Sequence, residues 1–302
     1  MNRKTSGNPI AEGYYADPES RFFEGKYWIY PTWSAPYEEQ RHLDAFSSTN
    51  LADWDKTERI LDGDVISWFT HALWAPSPID ANGKYYLYFS ANDIQNDNEL
   101  GGIGVAVADR PEGPFRDALG KPLIDRFHNG AQPIDPHVFR DDDGTYYLYY
   151  GGWRHCNLVK LGADMTSIVP FEDGSVYKEV TPDGYVEGPC MLKRNGVYYF
   201  MWAEGDWGGP GYSVGYSMSD TPFGPFKRLS VILKQDENIA TSAGHHSFLQ
   251  VPGKDEWYIT YHRRPLGETN IHHRVLCIDR MHFNPDGTIR PVAMTHSGVE
   301  RI

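Results

Sequence analysis

The apolar positions of this chain recur in short, aromatic-rich runs, each entered from a tight turn. The runs are KYWIYPTW (26–33), KYYLYFSA (84–91), TYYLYYGG (145–152), VYYFMWAE (197–204) and EWYITYHR (256–263). The turns before them are Glu24-Gly25, Asn82-Gly83, Asp143-Gly144, Asn195-Gly196 and Pro252-Gly253. Asx-Gly between two β-prone runs is a hairpin signal. A short segment of mixed apolar and polar residues lies before each turn. The third copy shows the whole unit: IDPHVFRDDDGTYYLYY (134–150) runs from an acid before proline, through a strand-like segment and a turn, into an aromatic run.

The first aromatics of the runs, Tyr27, Tyr85, Tyr146, Tyr198 and Trp257, recur roughly every 58 residues, which is the signature of a repeat architecture. Further alternating runs follow the second and fourth units, at 102–108 (GIGVAVA) and 211–218 (GYSVGYSM), each ending in a turn rich in Pro and Gly. The first unit carries a reduced form at 45–54. Alternation at period two marks strands with one buried face. No stretch sustains a helical period. Five multi-stranded units predict an all-β, five-bladed β-propeller formed by residues 1–302 as a single domain. A β-sandwich of the same length would leave the fivefold recurrence without a cause, whereas each blade of a ring buries its face against the next.

Composition agrees with short strands and turns. Of 302 residues, 20 are Tyr, 9 Trp, 30 Gly and 21 Pro. The net charge of −13, with no basic stripe, argues against nucleic acid and anionic membranes as partners and leaves small neutral ligands open. Three scattered cysteines, Cys156, Cys190 and Cys277, form neither a disulfide framework nor a zinc spacing and read as buried thiols. The N-terminal residues lack the apolar segment of a signal peptide, so a cytoplasmic location is expected, or a secreted one if a signal peptide has been removed. No apolar run approaches the ~18 residues of a membrane span.

Counting back ten or eleven residues from each first aromatic places Asp17, Ala75, Asp135, Glu187 and His246 at one position of the repeat. Pro18, Pro76, Pro136 and Pro189 follow closely, where an inner strand begins and no ladder N–H is required. An Asp before Pro is usually a turn starter. Three carboxylates in one register of a ring predict more, because equivalent inner-strand positions face one another across the axis. Asp17, Asp135 and Glu187 are therefore expected to converge and to perturb each other's ionisation, keeping one protonated as a general acid needs. Two carboxyls roughly 6.5–9.5 Å apart, with a water between, is the inverting glycosidase geometry. A metal site of three carboxylates is the competing reading.

Taken together, ADP (16–18), WAPS (74–77), IDPHVF with DDGTYYLYYG, VEGP (186–189) and GHHS (244–247) resemble glycoside hydrolase family 43 over essentially the whole chain. The resemblance implies an inverting mechanism. It makes Asp17 the general base, Glu187 the general acid, and Asp135 the carboxylate that orients Glu187 and raises its pKa. It implies that Trp74 lines the sugar pocket, that Trp33 flanks the cleavage point, and that Arg274 binds the sugar and the base. Ile134 and His246 are counted with the sugar contacts. It also implies a structural calcium on the axis, touched by His245, with no cofactor required for the chemistry. The Asp141-Asp142-Asp143 turn lacks calcium-loop spacing and reads as a charged hairpin turn.

The expected activity is removal of terminal pentoses from small arabinoxylan- or arabinan-derived oligosaccharides, as an α-L-arabinofuranosidase, a β-xylosidase or both. An endo-acting arabinanase would need a through-groove. A non-catalytic sugar-binding propeller would be expected to lack at least one of the three acids. A metal-dependent hydrolase would cluster them at metal-ligand distance.

Overall fold

A computed structural model describes residues 3–302. Five antiparallel sheets follow one another along the chain and form the blades of a propeller. Blade I comprises Tyr15–Phe23, Lys26–Trp33, His42–Ser48 and Asp55–Asp62. Blade II comprises Leu73–Ala81, Lys84–Ala91, Gly102–Ala108 and Arg116–Asp117. Blade III is built on His137–Arg140, Tyr146–Tyr150 and Asn157–Leu161, and two short outer strands share the last of these. Blade IV comprises Glu187–Arg194, Val197–Glu204, Ser213–Ser219 and Ser230–Leu233. In blade V, Trp257–Pro265 lies between His246–Gln250 and Val275–Met281, with Ala240–Thr241 pairing its end. Among the described residues the helical content is one 3-10 turn, Gly63–Val65.

The five hairpins predicted from the aromatic runs are the two inner strands of the five blades. Their turns differ in length. Glu24-Gly25, Asn82-Gly83 and Asn195-Gly196 each place both residues at positive φ and close two-residue turns between paired strand ends. Mirror-image turns of this kind match the right-handed twist of the strands they join. Blades III and V close through longer loops, Asp141 N–H bonding to Thr145 O and Val251 N–H to Glu256 O.

The aromatic runs form the core, which is divided by interface. One cluster sits between blades I and II (Tyr30, Leu43, Leu87, Phe89), and another between II and III (Tyr88, Val105, Leu148, Tyr150). Tyr149, Leu158, Phe200 and Trp202 lie between III and IV, and Met201, Tyr216, Ile259 and Tyr261 between IV and V. The fifth cluster closes the ring: Tyr15, Ile29 and Phe46 of the first blade pack on Tyr258, Leu276 and Ile278 of the last. The segment before blade I reinforces this closure. Ile10 N–H bonds to Leu276 O, and the buried Asn8 side chain bonds to Ile278 O and Asp279. All three cysteines are buried free thiols, as expected.

The inner strands of blades I, II and IV begin with a bulge of two unpaired residues: 17–18, 75–76 and 188–189. The residue at the first of these positions is left-handed in every blade, with φ of 48° at Asp17, 45° at Ala75, 54° at Asp135, 58° at Gly188 and 35° at His245. Four prolines occupy the next position, where a bulge leaves no ladder N–H to satisfy. The backbone thus corrects the counted register. Asp17 and Asp135 do share a position, but its counterparts in blades IV and V are Gly188 and His245. Glu187 stands one residue earlier, level with Trp74 and Ile134, and His246 one later, level with the prolines. The physical reason is turn length: blade IV closes on two residues, so its bulge begins ten residues before Tyr198, not eleven.

Candidate active site

The bulges converge at one end of the axis, and a cavity of about 340 Å³ opens above them. Its floor carries Asp17, Asp135, Glu187 and His245, and its walls include Trp74, Ile134 and Arg274. These are seven of the nine residues expected at the site. Hydrogen bonds between blades hold the floor. Ala75 N–H donates to Thr32 Oγ1 (2.8 Å), Asp135 N–H to Ser90 Oγ (2.9 Å) and Asp17 N–H to His262 Nδ1 (3.1 Å). Thr32, Ser90 and His262 all lie near the ends of second strands, so each bulge is fixed by the preceding blade. Blade III has Gly151 at that place, and Asp135 substitutes: its own Oδ2 accepts Gly188 N–H at 3.1 Å.

Asp17 and Asp135 are buried and Glu187 half-buried, and the three acids differ in electrostatics. Burial alone would raise the Asp17 pKa, yet Arg274, His245 and His262 outweigh it and hold Asp17 at about 2. The Arg274 guanidinium bonds Asp17 Oδ1 at 3.2 Å, and its Nε donates to Ser34 Oγ at 3.0 Å. Glu187 is pushed up to about 7 by burial and by the charge of Asp17, against the hydrogen bond that Tyr212 Oη donates to its Oε1 at 2.8 Å. Asp135 is raised well above the carboxylate range by burial first, then by Glu187 and Asp17. At neutral pH the floor therefore combines an ionised Asp17 with a proton-holding Asp135–Glu187 pair. One group ready to take a proton and another ready to give one is the arrangement that acid–base hydrolysis needs.

His245 Nδ1 lies 3.4 Å from Asp17 Oδ1 and 3.6 Å from Asp135 Oδ2, so its ring stands between the two aspartates. A calcium ion fits poorly around it. Calcium takes six to eight oxygen ligands, and no group of three or more His, Cys, Asp or Glu among the described residues is arranged to hold a metal. The nearest acid further down the axis, Glu19, is already saturated. Arg21 pairs with its Oε1, Ser247 Oγ donates to Oε1 at 2.9 Å, and His137 Nδ1 faces Oε2 at 3.0 Å. Arg21 also donates to Ser20 O and Val138 O, both at 2.8 Å. Arg21 of blade I thus pairs with Glu19 and reaches Val138 of blade III.

Two expected sugar contacts are corrected. Trp33 lies outside the cavity lining: it packs against the closing cluster of blades V and I and stacks on His42 at 4.7 Å. Being the last residue of its strand, it faces the blade, and the chain beyond it brings Tyr37 to the cavity instead. His246 is buried at the second bulge position, away from the cavity, with neither ring nitrogen hydrogen-bonded, and burial pushes its pKa down to about 3.

Further lining residues were not anticipated: Tyr37, Gln40, Asp93, Gln95, Gln132, Trp153 and Arg154. Most follow the second strand of a blade, and that rule could have found them. The loops after Trp33, Ala91, Tyr150 and Glu204 bring Tyr37, Asp93, Trp153–Arg154 and Trp207 to the mouth. Tyr37 stacks nearly parallel to Trp74, with ring centroids 6.0 Å apart. Arg274 lies over the Trp207 ring at 5.1 Å, and Arg264 donates to Gly208 O at 2.8 Å, fixing that loop. Asp93 accepts a 3.0 Å bond from Gln132, and burial raises its pKa. The Asp141 turn is structural: at the outer end of blade III, Asp141 binds Lys193 and Tyr198 of blade IV, each at 2.7 Å.

Comparison with known proteins places these residues in context. The family model for glycosyl hydrolases family 43 matches residues 6–289. A β-D-galactofuranosidase from Aspergillus niger is 48% identical, over 98% of this chain and 87% of the relative. An arabinoxylan arabinofuranohydrolase from Bacillus subtilis is 30% identical, over 98% of this chain and 66% of the relative. Among solved structures, an α-L-arabinofuranosidase from Clostridium thermocellum superposes with a TM-score of 0.76 at 33% identity, covering 94% of this chain and 95% of that one. A β-xylosidase/α-arabinofuranosidase from a compost metagenome, with xylotriose bound, superposes with a TM-score of 0.79 at 27% identity, covering 96% and 97%.

Proposed function

The chain belongs to glycosyl hydrolases family 43, and within it we propose an inverting exo-glycosidase that releases a terminal furanose, α-L-arabinofuranose or β-D-galactofuranose, from an oligosaccharide. The observation that carries this reading is that Asp17, clamped by Arg274 at 3.2 Å, and Glu187, bonded by Tyr212 at 2.8 Å, share one cavity floor in surroundings that push their pKa values apart. Glu187 gives its proton to the glycosidic oxygen as the bond to the anomeric carbon breaks. Asp17 takes a proton from a water that attacks the same carbon from the opposite face, and the product sugar has inverted configuration. Arg274 keeps Asp17 ionised before the attack and clamps it in position. Asp135 is a positioning residue: it holds the Gly188 N–H next to the acid and adds the charge coupling that keeps a proton on the pair.

The substrate follows from shape and relatedness. A cavity of about 340 Å³ is at the small end of the range for ligand clefts, which suits a chain end rather than a long polymer. Trp74, Tyr37 and Ile134 offer apolar faces to a ring, and Asp93 with Gln132 offers polar ones. α-L-Arabinofuranose and β-D-galactofuranose share the stereochemistry of the ring, and galactofuranose adds one CHOH to the exocyclic arm. The 48% identity to a galactofuranosidase supports admitting the longer arm. The second reading is a β-xylosidase, favoured by a relative of that name from Xylanibacter ruminicola, 30% identical over 92% of this chain.

The test is a panel of 4-nitrophenyl α-L-arabinofuranoside, β-D-galactofuranoside and β-D-xylopyranoside together with linear arabinan. The first-formed product is observed by proton NMR. The furanoside reading expects turnover of one or both furanosides at least tenfold above the xyloside, with an inverted anomer. Xyloside preference, random-length arabinan products, or retention each overturns it.

A further inference from the structure

We propose that Trp153 and Arg154 form the leaving-group subsite, with the indole stacking on the first sugar beyond the scissile bond and the guanidinium bonding its hydroxyls. The placement rests on the reading of Glu187 as general acid, because the acid marks the side of the cavity from which the leaving group departs.

The loop containing these residues is tied to that side. Arg154 N–H donates to Val186 O, one residue before Glu187, at 3.1 Å. Gly151 N–H donates to Ile134 O, one residue before Asp135, at 2.9 Å, and Tyr185 Oη donates to Gly151 O at 2.6 Å. The loop therefore rides on the two chain segments that carry the proton-holding pair. Asp17 and Arg274 belong to blades I and V, across the axis.

Its conformation is unusual for its sequence. Trp153 and Arg154 are consecutive non-glycine residues in the left-handed region, at φ 56° and 67°. Such conformations persist only where surrounding structure enforces them, and they gather at ligand sites. Gly151 permits the fold-back, since a Cβ there would stand 2.2 Å from His155 O. The result presents a large aromatic ring to solvent. Trp153 is 49% exposed, propped by Phe127 at 4.8 Å, and lines the cavity. Arg154 is exposed beside it, and its guanidinium has no ion pair or hydrogen bond among the described residues. An exposed indole with an uncommitted planar donor next to it matches a sugar, which has an apolar C–H face and a rim of hydroxyls.

The experiment compares wild type with W153A, W153F, R154A and E187Q on two substrates with the same terminal furanose. One is the methyl glycoside, which puts nothing on Trp153. The other is an oligosaccharide with a sugar leaving group. For W153A we expect kcat/KM on the oligosaccharide to fall about tenfold or more, mainly through KM, with the methyl glycoside within about twofold of wild type. W153F restores most of the loss, R154A shows a smaller loss of the same kind, and the thermal midpoints stay unchanged because both side chains are exposed. Equal losses on both substrates, or no loss on the oligosaccharide, overturn the subsite while E187Q remains inactive. An active E187Q overturns the assignment of the acid and the placement with it.

Discussion

Asp17 and Asp135 occupy the same position of two non-adjacent blades, at φ 48° and 54°, yet their pKa values are pushed in opposite directions. The backbone is common and the neighbours decide. Asp17 faces Arg274 and two histidines, while Asp135 faces Glu187 and Asp17. Repetition places the carboxylates, and the departures from it assign their work.

Glu187→Gln removes the transferable proton. The expected outcome is a loss of about 10²–10⁴-fold in kcat on oligosaccharides. The loss should shrink for a 2,4-dinitrophenyl leaving group, which departs without protonation. Steady-state kinetics across leaving groups of graded acidity measures this.

Asp17→Asn should cost a similar factor on every substrate, because water activation is needed whatever departs. A variant that recovers on the dinitrophenyl glycoside would show that Asp17 is not the base.

The pH profile follows from the same two groups. Glu187 must be protonated, so kcat/KM should decline as pH rises through about 7. Tyr212 Oη stabilises the carboxylate form, so Tyr212→Phe should move this limb to higher pH. Arg274→Ala should move the acid limb upward, since Asp17 loses the charge that keeps it ionised. Profiles of kcat/KM against pH for the three proteins test both signs.

Stability should be independent of divalent cations and dependent on the Arg21–Glu19 ion pair. Thermal unfolding is expected to be unchanged by chelator. Glu19→Gln, which leaves the partly buried Arg21 without its counter-charge, should destabilise by up to about 3 kcal/mol. Glu19 is held at about 2, below its usual 4.5, despite burial that opposes this, through Arg21 and His137. Its contribution is therefore present above pH 4.5 and lost as pH falls towards 2. Wild type and variant should converge in stability over that interval in an acid titration.

Closure of the ring can be tested at His262, the acceptor of Asp17 N–H. His262→Ala leaves that buried donor unpaired and should cost about 1–3 kcal/mol. It should also reduce kcat, because the same bond sets the Asp17 backbone. Denaturant unfolding and turnover, measured together, should fall in parallel.

The hairpins were legible because turns and aromatic runs announce themselves locally, and the fivefold count followed from their spacing. The convergence of Asp17, Asp135 and Glu187 was legible as well. The one-residue error at Glu187 and His246 came from counting across turns of unequal length. Asn195-Gly196 is a two-residue turn, while the chain around Pro252-Gly253 makes a longer one. Turn chemistry in the sequence would have resolved it. Trp33 misled because a strand's last residue points either way. Trp153, Arg154 and Asp93 belong to no motif of their own; only their place after the second strands of the blades marks them.

The shared left-handed position gives this scaffold five related sockets, and two of them, Ala75 and Gly188, carry no functional side chain. Ala75 already has φ 45°, its N–H is held by Thr32, and Trp74 beside it lines the cavity. Ala75→Asp would keep the main chain in the conformation that Asp17 and Asp135 adopt, and would add a buried fourth carboxyl whose charge shifts the other three. The geometry that positions the acids is thus also a modular frame, in which new chemistry can be installed blade by blade.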